Sequence, residues 1–240
     1  MSGRYFVVSN QTTPHPLTMS RAQKHADTIY LRPYATSQVA AFKETSAWLS
    51  EKRREIVLDS GCGTGDSTFF LAKKYPDMSI IGIDRSQTRI RQATEKLLRT
   101  SLHDNIFFVR ARLEDFWRLA RDAGLEIESH FLFYPNPCPK SEHHSRRWHG
   151  HAVFPDLLTL SNSLEIRSNW RLYLEEFAIA ARTLIARNGE VETLEVSRGI
   201  SAFEKKYFES GSHCYRLRYT NLPKVQRRPF DLITYSSLRT

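Results

Sequence analysis

The sequence predicts a doubly wound α/β domain with a mostly parallel sheet, and three observations predict it. Short apolar runs bounded by turn residues alternate with segments of helical period, the pattern of successive strand-helix-strand units. The run Ile56-Val57-Leu58 ends in Asp59 and continues through Gly61, Gly63 and Gly65 at alternate positions before a helix begins. The run Phe131-Leu132-Phe133-Tyr134 stops at Pro135-Asn136-Pro137, which reads as a strand closed by a rigid turn. Ligands of open α/β sheets bind outside the carboxyl ends of the strands, so both stops are candidate site loops.

The elements follow in order. Residues 1–23 are polar and turn-rich, with Pro14 and Pro16, and are expected to be mobile. After the first strand, a helix is expected over 64–75, with Phe69, Leu71 and Ala72 among its apolar positions. A second strand runs from Ser79 to Ile83 and ends in Asp84. Ile90, Ala93, Leu97 and Leu98 recur at helical spacing, and Ile106 to Val109 reads as a third strand. Phe131 to Tyr134 forms the fourth strand and Leu164 to Ile166 the fifth. An amphipathic helix follows through Trp170, Tyr173, Leu174, Phe177, Ala181 and Leu184, its aromatic stripe read as core and its end placed at Asn188-Gly189. Val191 to Val196 and Tyr215 to Tyr219 complete seven strands.

The glycine loop narrows the ligand class. Glycines there permit positive φ and close approach of backbone to ligand. Asp84 lies about 20 residues beyond the loop, the spacing at which a second-strand carboxylate takes ribose hydroxyls. Pyrophosphate-bearing dinucleotides use G-x-G-x-x-G. Here the order is Asp59-x-Gly61-x-Gly63-x-Gly65, with acids at both ends and no arginine beside the loop. That pattern suits a ligand with an ammonium group, a sulfonium and ribose hydroxyls but no phosphate, such as S-adenosylmethionine.

Charge points to a polyanionic partner: 35 basic against 26 acidic residues give a net charge of +9, with cations concentrated just after the fourth strand. No apolar stretch is long enough to span a membrane, and the N-terminus lacks the apolar region of a signal peptide. Cys62, Cys138 and Cys214 are widely separated, so a disulfide framework is not expected and a reducing cytoplasm is. Cys138, His143, His144, His149 and His151 crowd into one segment. Zinc sites favour tight ligand pairs, however, and Lys140, Arg146 and Arg147 would repel a cation. No metal is expected; the segment reads as an RNA contact or a solvated loop. The basic run Lys224 to Arg228 reads as a solvated tail.

Several motifs together resemble one family. Pro135-Asn136-Pro137-Cys138-Pro139-Lys140, followed by His143 and Arg146-Arg147, is similar to the P-D-P-W-P-K…H…R-R signature of the tRNA (guanine-N7)-methyltransferases. The glycine loop with Gly82-Ile83-Asp84, the Ser168-Asn169-Trp170 triplet (Thr-Asp followed by Asn or Trp in the family), Ser201-Ala202-Phe203-Glu204 with Tyr215-Arg216, and Met19-Ser20-Arg21-Ala22-Gln23 resemble further family elements, over roughly residues 17–221.

The resemblance implies a Rossmann-like class I methyltransferase fold, a seven-stranded sheet with an antiparallel last strand. It implies an N-terminal extension and first helix over 1–50, the methyltransferase domain over 51–221 and a basic tail over 222–240. It implies methylation at N7 of a guanine in the tRNA variable loop by a cytoplasmic monomer or homodimer. S-adenosyl-L-methionine would be bound by Asp59, Gly61, Gly63, Gly65, Asp84, Arg85, Arg112, Glu114 and Asn136. Asn136 and Asn169 would be the catalytic pair at the base. Lys140, His143, Arg146, Arg147, Ser168, Asn169, Ser201 and Glu204 would meet the tRNA. The departures all fall in this pocket. Two family carboxylates are the amides Asn136 and Asn169, the signature Trp is Cys138, and the third-strand acid or amide near the adenine is Arg112. A homologue that binds cofactor or RNA without turnover, or one with another RNA or small-molecule substrate, is the alternative.

Overall fold

The computed structural model describes residues 7–100, 104–195 and 199–223. The basic run Lys224 to Arg228 and almost all of the expected C-terminal tail lie outside them. Seven strands form one sheet: β1 Ile56–Ser60, β2 Ser79–Asp84, β3 Ile106–Arg110, β4 Ile127–Phe133, β5 Ser161–Ser168, β6 Val191–Leu194 and β7 Cys214–Tyr219. Their order is β3-β2-β1-β4-β5-β7-β6. The strands β1 to β5 pair in parallel, and β7 is antiparallel to both β5 and β6. The mostly parallel sheet with an antiparallel last strand is the architecture the sequence predicts.

Every residue of β1 and β2 is buried, as a strand covered by helices on both faces requires. Consecutive residues point to opposite faces and join different clusters. Leu58, Ile81 and Ile83 pack with Phe116, Trp117, Phe154, Tyr173 and Phe177 on one side. Val57, Ile80, Phe131 and Phe133 pack with Leu71 and Ile106 on the other. Burying each such side chain contributes about 1.5–3 kcal/mol. The helices that cover the sheet include α1 Thr18–Asp27, α2 Thr36–Lys52, α3 Asp66–Lys74, α4 Gln87–Arg99, α5 Leu113–Asp122, α6 Phe154–Thr159 and α7 Arg171–Ile185; α8 Ala202–Glu209 precedes β7. The aromatic stripe of α7 is core, with Tyr173 and Phe177 both fully buried.

The structure corrects three local expectations. Residues 7–17 are not a loose arm: Gln11 and His15 bond to Glu176 of α7, and α1 already starts at Thr18. The strand β4 stops at Phe133, and Tyr134 takes φ +51°, which breaks the extended run one residue early. Helix α7 ends at Ile185 with Ala186 in the left-handed conformation, not at Asn188-Gly189. Gly189 serves close approach instead, since a Cβ there would sit 2.3 Å from the Tyr219 hydroxyl on β7. Strand β6 ends at Leu194, and Val196, its expected end, lies outside the described residues.

The strand order reverses between β1 and β4: the chain builds outward from β1 to β3, then returns to β4 on the other side. The crevice at such a reversal, beyond the carboxyl ends of the strands, is where ligands bind in this architecture. The glycine loop leaves β1 there, and the Pro135-Asn136-Pro137 turn leaves β4.

Candidate active site

The β1 half of the crevice is built around two acids. Asp59 at the end of β1 is buried, and its Oδ2 accepts from the hydroxyls of Ser67 at 2.7 Å and Thr68 at 2.6 Å, tying the strand to the first turn of α3. Burial pushes its carboxyl up to about 6, against the pull of those two hydrogen bonds. Asp84 at the end of β2 accepts from the Ser86 amide at 2.7 Å and the Gly63 amide at 3.2 Å, so it fixes the glycine loop as well as facing the cleft. Gly61, Gly63 and Gly65 all take positive φ. A Cβ at Gly61 or Gly63 would meet no atom within 4 Å, leaving open space along the loop. At Gly65 it would lie 2.7 Å from the Phe108 ring, so this glycine permits helix-sheet packing rather than ligand approach.

Beside Asp84 lies a cleft of about 690 Å³, lined by Ser37, Gln38, Arg85, Ser86, Arg89, Arg110 and Arg112 among others. Asp84, Arg85 and Arg112 were expected here; Gln38, Arg89 and Arg110 were not. Helix α2, which carries Gln38, shows no loop signature in the sequence. Gln38 Oε1 accepts the Arg112 amide at 2.7 Å, and the Arg112 side chain pairs with Asp115 at 2.6 Å. Glu114 does not line the cleft: it pairs with Arg32 at 3.7 Å and with Arg112 at 4.0 Å. The open glycine loop, a nearly buried ribose-type acid and a loop acid without nearby arginines fit S-adenosylmethionine. Arg112, which the resemblance implies stands near the adenine, is a donor with no acceptor.

The second half of the crevice comes from β4 and β5. Their register sets Phe133 opposite Arg167, and the Tyr134 amide donates to the Arg167 carbonyl at 2.9 Å, so the residues after each strand emerge side by side. Asn136 is exposed in the turn after β4, and Asn169 is half-buried after β5. Asn136 Oδ1 accepts from the Cys138 amide at 3.1 Å, closing a tight turn around Cys138 at φ +44°. Lys140 and Arg146 are exposed and His143 is half-buried.

Four residues expected to meet RNA make internal bonds instead. Arg147 is fully buried; its guanidinium donates to Glu176 at 2.5 Å, to Gln11 Oε1 at 2.9 Å and to the Cys138 carbonyl at 3.2 Å, and stacks on Trp170. Ser168 is buried and accepts the Trp170 amide at 3.0 Å, forming a turn. Ser201 caps α8 by accepting the Glu204 amide at 3.1 Å. Glu204 is buried and accepts from Tyr134, Arg167 and the Ile200 amide, each at 2.8 Å. The Ser201-x-x-Glu204 pair is a helix-capping arrangement that the sequence spacing also permits.

The histidine-rich segment is neither a solvated loop nor an RNA contact at its centre. It winds into two short 3₁₀ turns, Ser141–Arg146 and Trp148–Gly150, which turn His144, Arg147 and His149 inward. His144, His149 and Glu176 offer ligand atoms within 4.8 Å of one another. Both Glu176 oxygens are already taken, Oε1 by Gln11 at 2.5 Å and the His15 amide at 2.7 Å, Oε2 by Arg147 and by His149 at 2.9 Å. A guanidinium on the carboxylate that a cation would need makes this a structural hub. Burial depresses the His144 and His149 imidazoles, keeping His144 neutral to about 3. Glu176 was not foreseen, because nothing in a helix sequence distinguishes an inward-facing acid with remote partners.

A family model described as putative methyltransferase matches residues 53–217. The chain belongs to this family. A tRNA (guanine-N(7)-)-methyltransferase of Aquifex aeolicus is 29% identical over 180 residues, which are 72% of this chain and 60% of that protein. The chain thus spans less than two thirds of that relative. A tRNA (guanine-N(7)-)-methyltransferase of Geobacillus thermodenitrificans is 23% identical over 216 residues, 80% of this chain and 97% of that one. Among solved structures, the 16S rRNA (adenine(1408)-N(1))-methyltransferase of Catenulisporales acidiphilia, with cosubstrate SAM, is similar at a TM-score of 0.53 and 16% identity, covering 76% of this chain and 93% of its own. Similarity at that identity concerns the fold, which is the class I methyltransferase fold expected from the sequence. No helix among the described residues is long and apolar enough to cross a membrane.

Proposed function

We propose that the chain transfers a methyl group from S-adenosylmethionine to N7 of a guanine in tRNA, in the cytoplasm. The observation that carries the reading is the pairing of β4 with β5, which brings the Asn136 turn and Asn169 out side by side at the same sheet edge as the glycine loop and Asp84. The names of the curated relatives and the signature turn support the same substrate.

The cofactor supplies an activated methyl electrophile. Asp84 would hold its ribose hydroxyls, Gly61 and Gly63 leave room for close approach, and Asp59 would favour its ammonium end. Guanine N7 carries a lone pair and no proton, so no residue has to act as a general base. The task of the chain is alignment: Asn136 and Asn169 hold the base edge while the opposite half of the crevice holds the donor. Positive charge appears on the purine as the bond forms, and a carboxylate beside it would stabilise that charge. Amides orient the base without that stabilisation, and each 1.4 kcal/mol lost is about a tenfold loss in rate. The exposed Lys140 and Arg146 remain to meet phosphates, with His143 beside them.

One observation favours a second reading, binding without turnover. Asn136 Oδ1 already accepts from the Cys138 amide at 3.1 Å and the Cys138 thiol at 3.6 Å, so the oxygen that would accept a guanine N–H is engaged within its own turn. Nucleoside mass spectrometry of tRNA from cells lacking the chain separates the two. Loss of 7-methylguanosine, restored by wild type but not by Asp84→Ala, supports methylation; an unchanged level supports binding alone.

A further inference from the structure

We propose that the cleft beside Asp84 holds a phosphate carried on the 2′ or 3′ oxygen of a nucleoside ribose, a site that goes beyond the methylation reading and rests on it only for the ribose placed at Asp84. Four arginines line this one cleft, Arg85 after β2, Arg89 on α4, Arg110 at the end of β3 and Arg112 at the start of α5, and Asp84 is the only carboxylate among the lining residues. Two of the four are compensated: Arg89 lies 3.6 Å from Asp84, and Arg112 pairs with Asp115. The other two are not. Among the described residues Arg110 donates only to neutral oxygens, the Arg85 carbonyl at 3.5 Å and Gln87 Oε1 at 3.3 Å. Arg85 has no carboxylate partner among the described residues. The N-termini of α4 and α5 open at the same place, since Ser86 and Arg112 are their capping residues, and add partial positive charge.

S-adenosylmethionine does not account for this. Its adenosine is neutral, and its charged groups lie at the amino-acid end, toward the glycine loop. A cleft carrying uncompensated guanidiniums is matched by an anion, and planar guanidiniums pair with phosphate through two parallel hydrogen bonds. Position narrows the ligand further. No residue of the glycine loop lines this cleft, so a ribose whose 5′ side turns toward that loop would carry a 5′-phosphate away from the arginines. The arginines line the cleft together with Asp84, so if Asp84 takes the ribose hydroxyls, a group on the 2′ or 3′ oxygen would lie among them. Such a phosphate belongs either to a free mononucleotide or to an RNA strand, where the 3′ oxygen carries the phosphodiester.

Calorimetric titration of the whole protein decides it, with adenosine, adenosine 5′-monophosphate, adenosine 3′-monophosphate and a short oligoadenylate ending in a 3′-hydroxyl. The 3′-monophosphate is expected to bind about tenfold tighter than adenosine or the 5′-monophosphate at low salt, and to lose that margin at high salt. In Arg85→Ala/Arg110→Ala the three ligands should fall within about twofold of one another. If the oligoadenylate binds and is weakened by the same substitutions, the phosphate comes from RNA; if only the mononucleotide does so, it is free. Equal affinities for adenosine and its 3′-monophosphate, a 5′-monophosphate as tight as the 3′, or no binding of the 3′-monophosphate overturns the proposal. The wild-type comparison decides by itself, so a misfolded variant leaves the test standing. No methyl transfer enters the assay, so its failure is distinct from failure of the methylation reading.

Discussion

Arg147 donates to Glu176 across 2.5 Å with both side chains fully buried, and this pair ties the signature loop to α7 and to the N-terminal residues Gln11 and His15. An arginine expected from its sequence motif to meet phosphate is thus an internal brace. Its neighbour Arg146 points to solvent. The two positions should behave oppositely. Arg147→Ala leaves Glu176 buried without its strongest partner and should cost about 3–5 kcal/mol in urea unfolding. Arg146→Ala should leave stability within about 0.5 kcal/mol while flattening the salt dependence of tRNA binding by about one unit of log-log slope. An Arg147→Ala protein as stable as wild type would show that the pair braces nothing.

Glu176 carries a pH signature. Burial pushes its carboxyl up, but His149, the His15 amide and Arg147 outweigh burial and hold it at about 2, below the usual 4.5. A carboxyl depressed in the folded state adds stability that is complete above the unfolded value and lost as pH falls through the folded one. Stability should therefore drop progressively from about pH 4.5 toward 2, and Glu176→Gln should be destabilised near neutrality with a flatter acid limb. Thermal unfolding over that range measures both.

Asp59 titrates in the opposite sense. Burial raises it to about 6, and the ammonium group of a cofactor bound against it would favour the ionised form. Affinity for S-adenosylmethionine should rise with pH up to about 6 and level off above about 7, with one proton released per ligand bound below that value. Asp59→Asn should bind more weakly and without this dependence. Calorimetry in two buffers of different ionisation enthalpy reads the proton directly.

Gly65 and Gly61 should also separate. Gly65→Ala drives a Cβ to 2.7 Å from Phe108 at φ +87° and should cost about 1–3 kcal/mol of stability. Gly61→Ala meets no atom but is strained at φ +80°, so its larger effect should fall on cofactor affinity. Chemical unfolding and ligand titration of the two variants distinguish packing from ligand approach.

What the sequence made legible was local. The glycine loop, Asp84 and the turn after β4 are each written in a few consecutive residues whose backbone demands are particular, and the strands of the parallel half are continuous apolar runs. The rest depends on partners remote in the chain. Arg146 and Arg147 are the same residue type side by side, and only the 3₁₀ turns, closing against an acid on α7, decide which one turns inward. Gln38 reaches the cleft from a helix far upstream of Arg112. Ser201 and Glu204 fit the spacing of a helix cap as well as that of a substrate contact, and the Glu204 partners Tyr134 and Arg167 come from β-strand ends that no local pattern links to it. At Ala186 the helix ends without the glycine that usually announces it.

If the chain methylates guanine N7, the two pocket amides set the chemistry at the base. Asn136→Asp with Asn169→Asp returns two carboxylates to the base edge, and methyl transfer should rise by about tenfold or more while cofactor affinity stays within about twofold. Single-turnover kinetics on both proteins gives the comparison. An unchanged rate with cofactor still bound would remove the amides as the limit on turnover.

The most direct test of guanine-N7 methylation is incubation of the purified chain with labelled S-adenosylmethionine and unmodified tRNA, followed by nucleoside analysis. Label is expected in 7-methylguanosine and in no other nucleoside. Label in a different nucleoside, or none with both cofactor and tRNA bound, would contradict it.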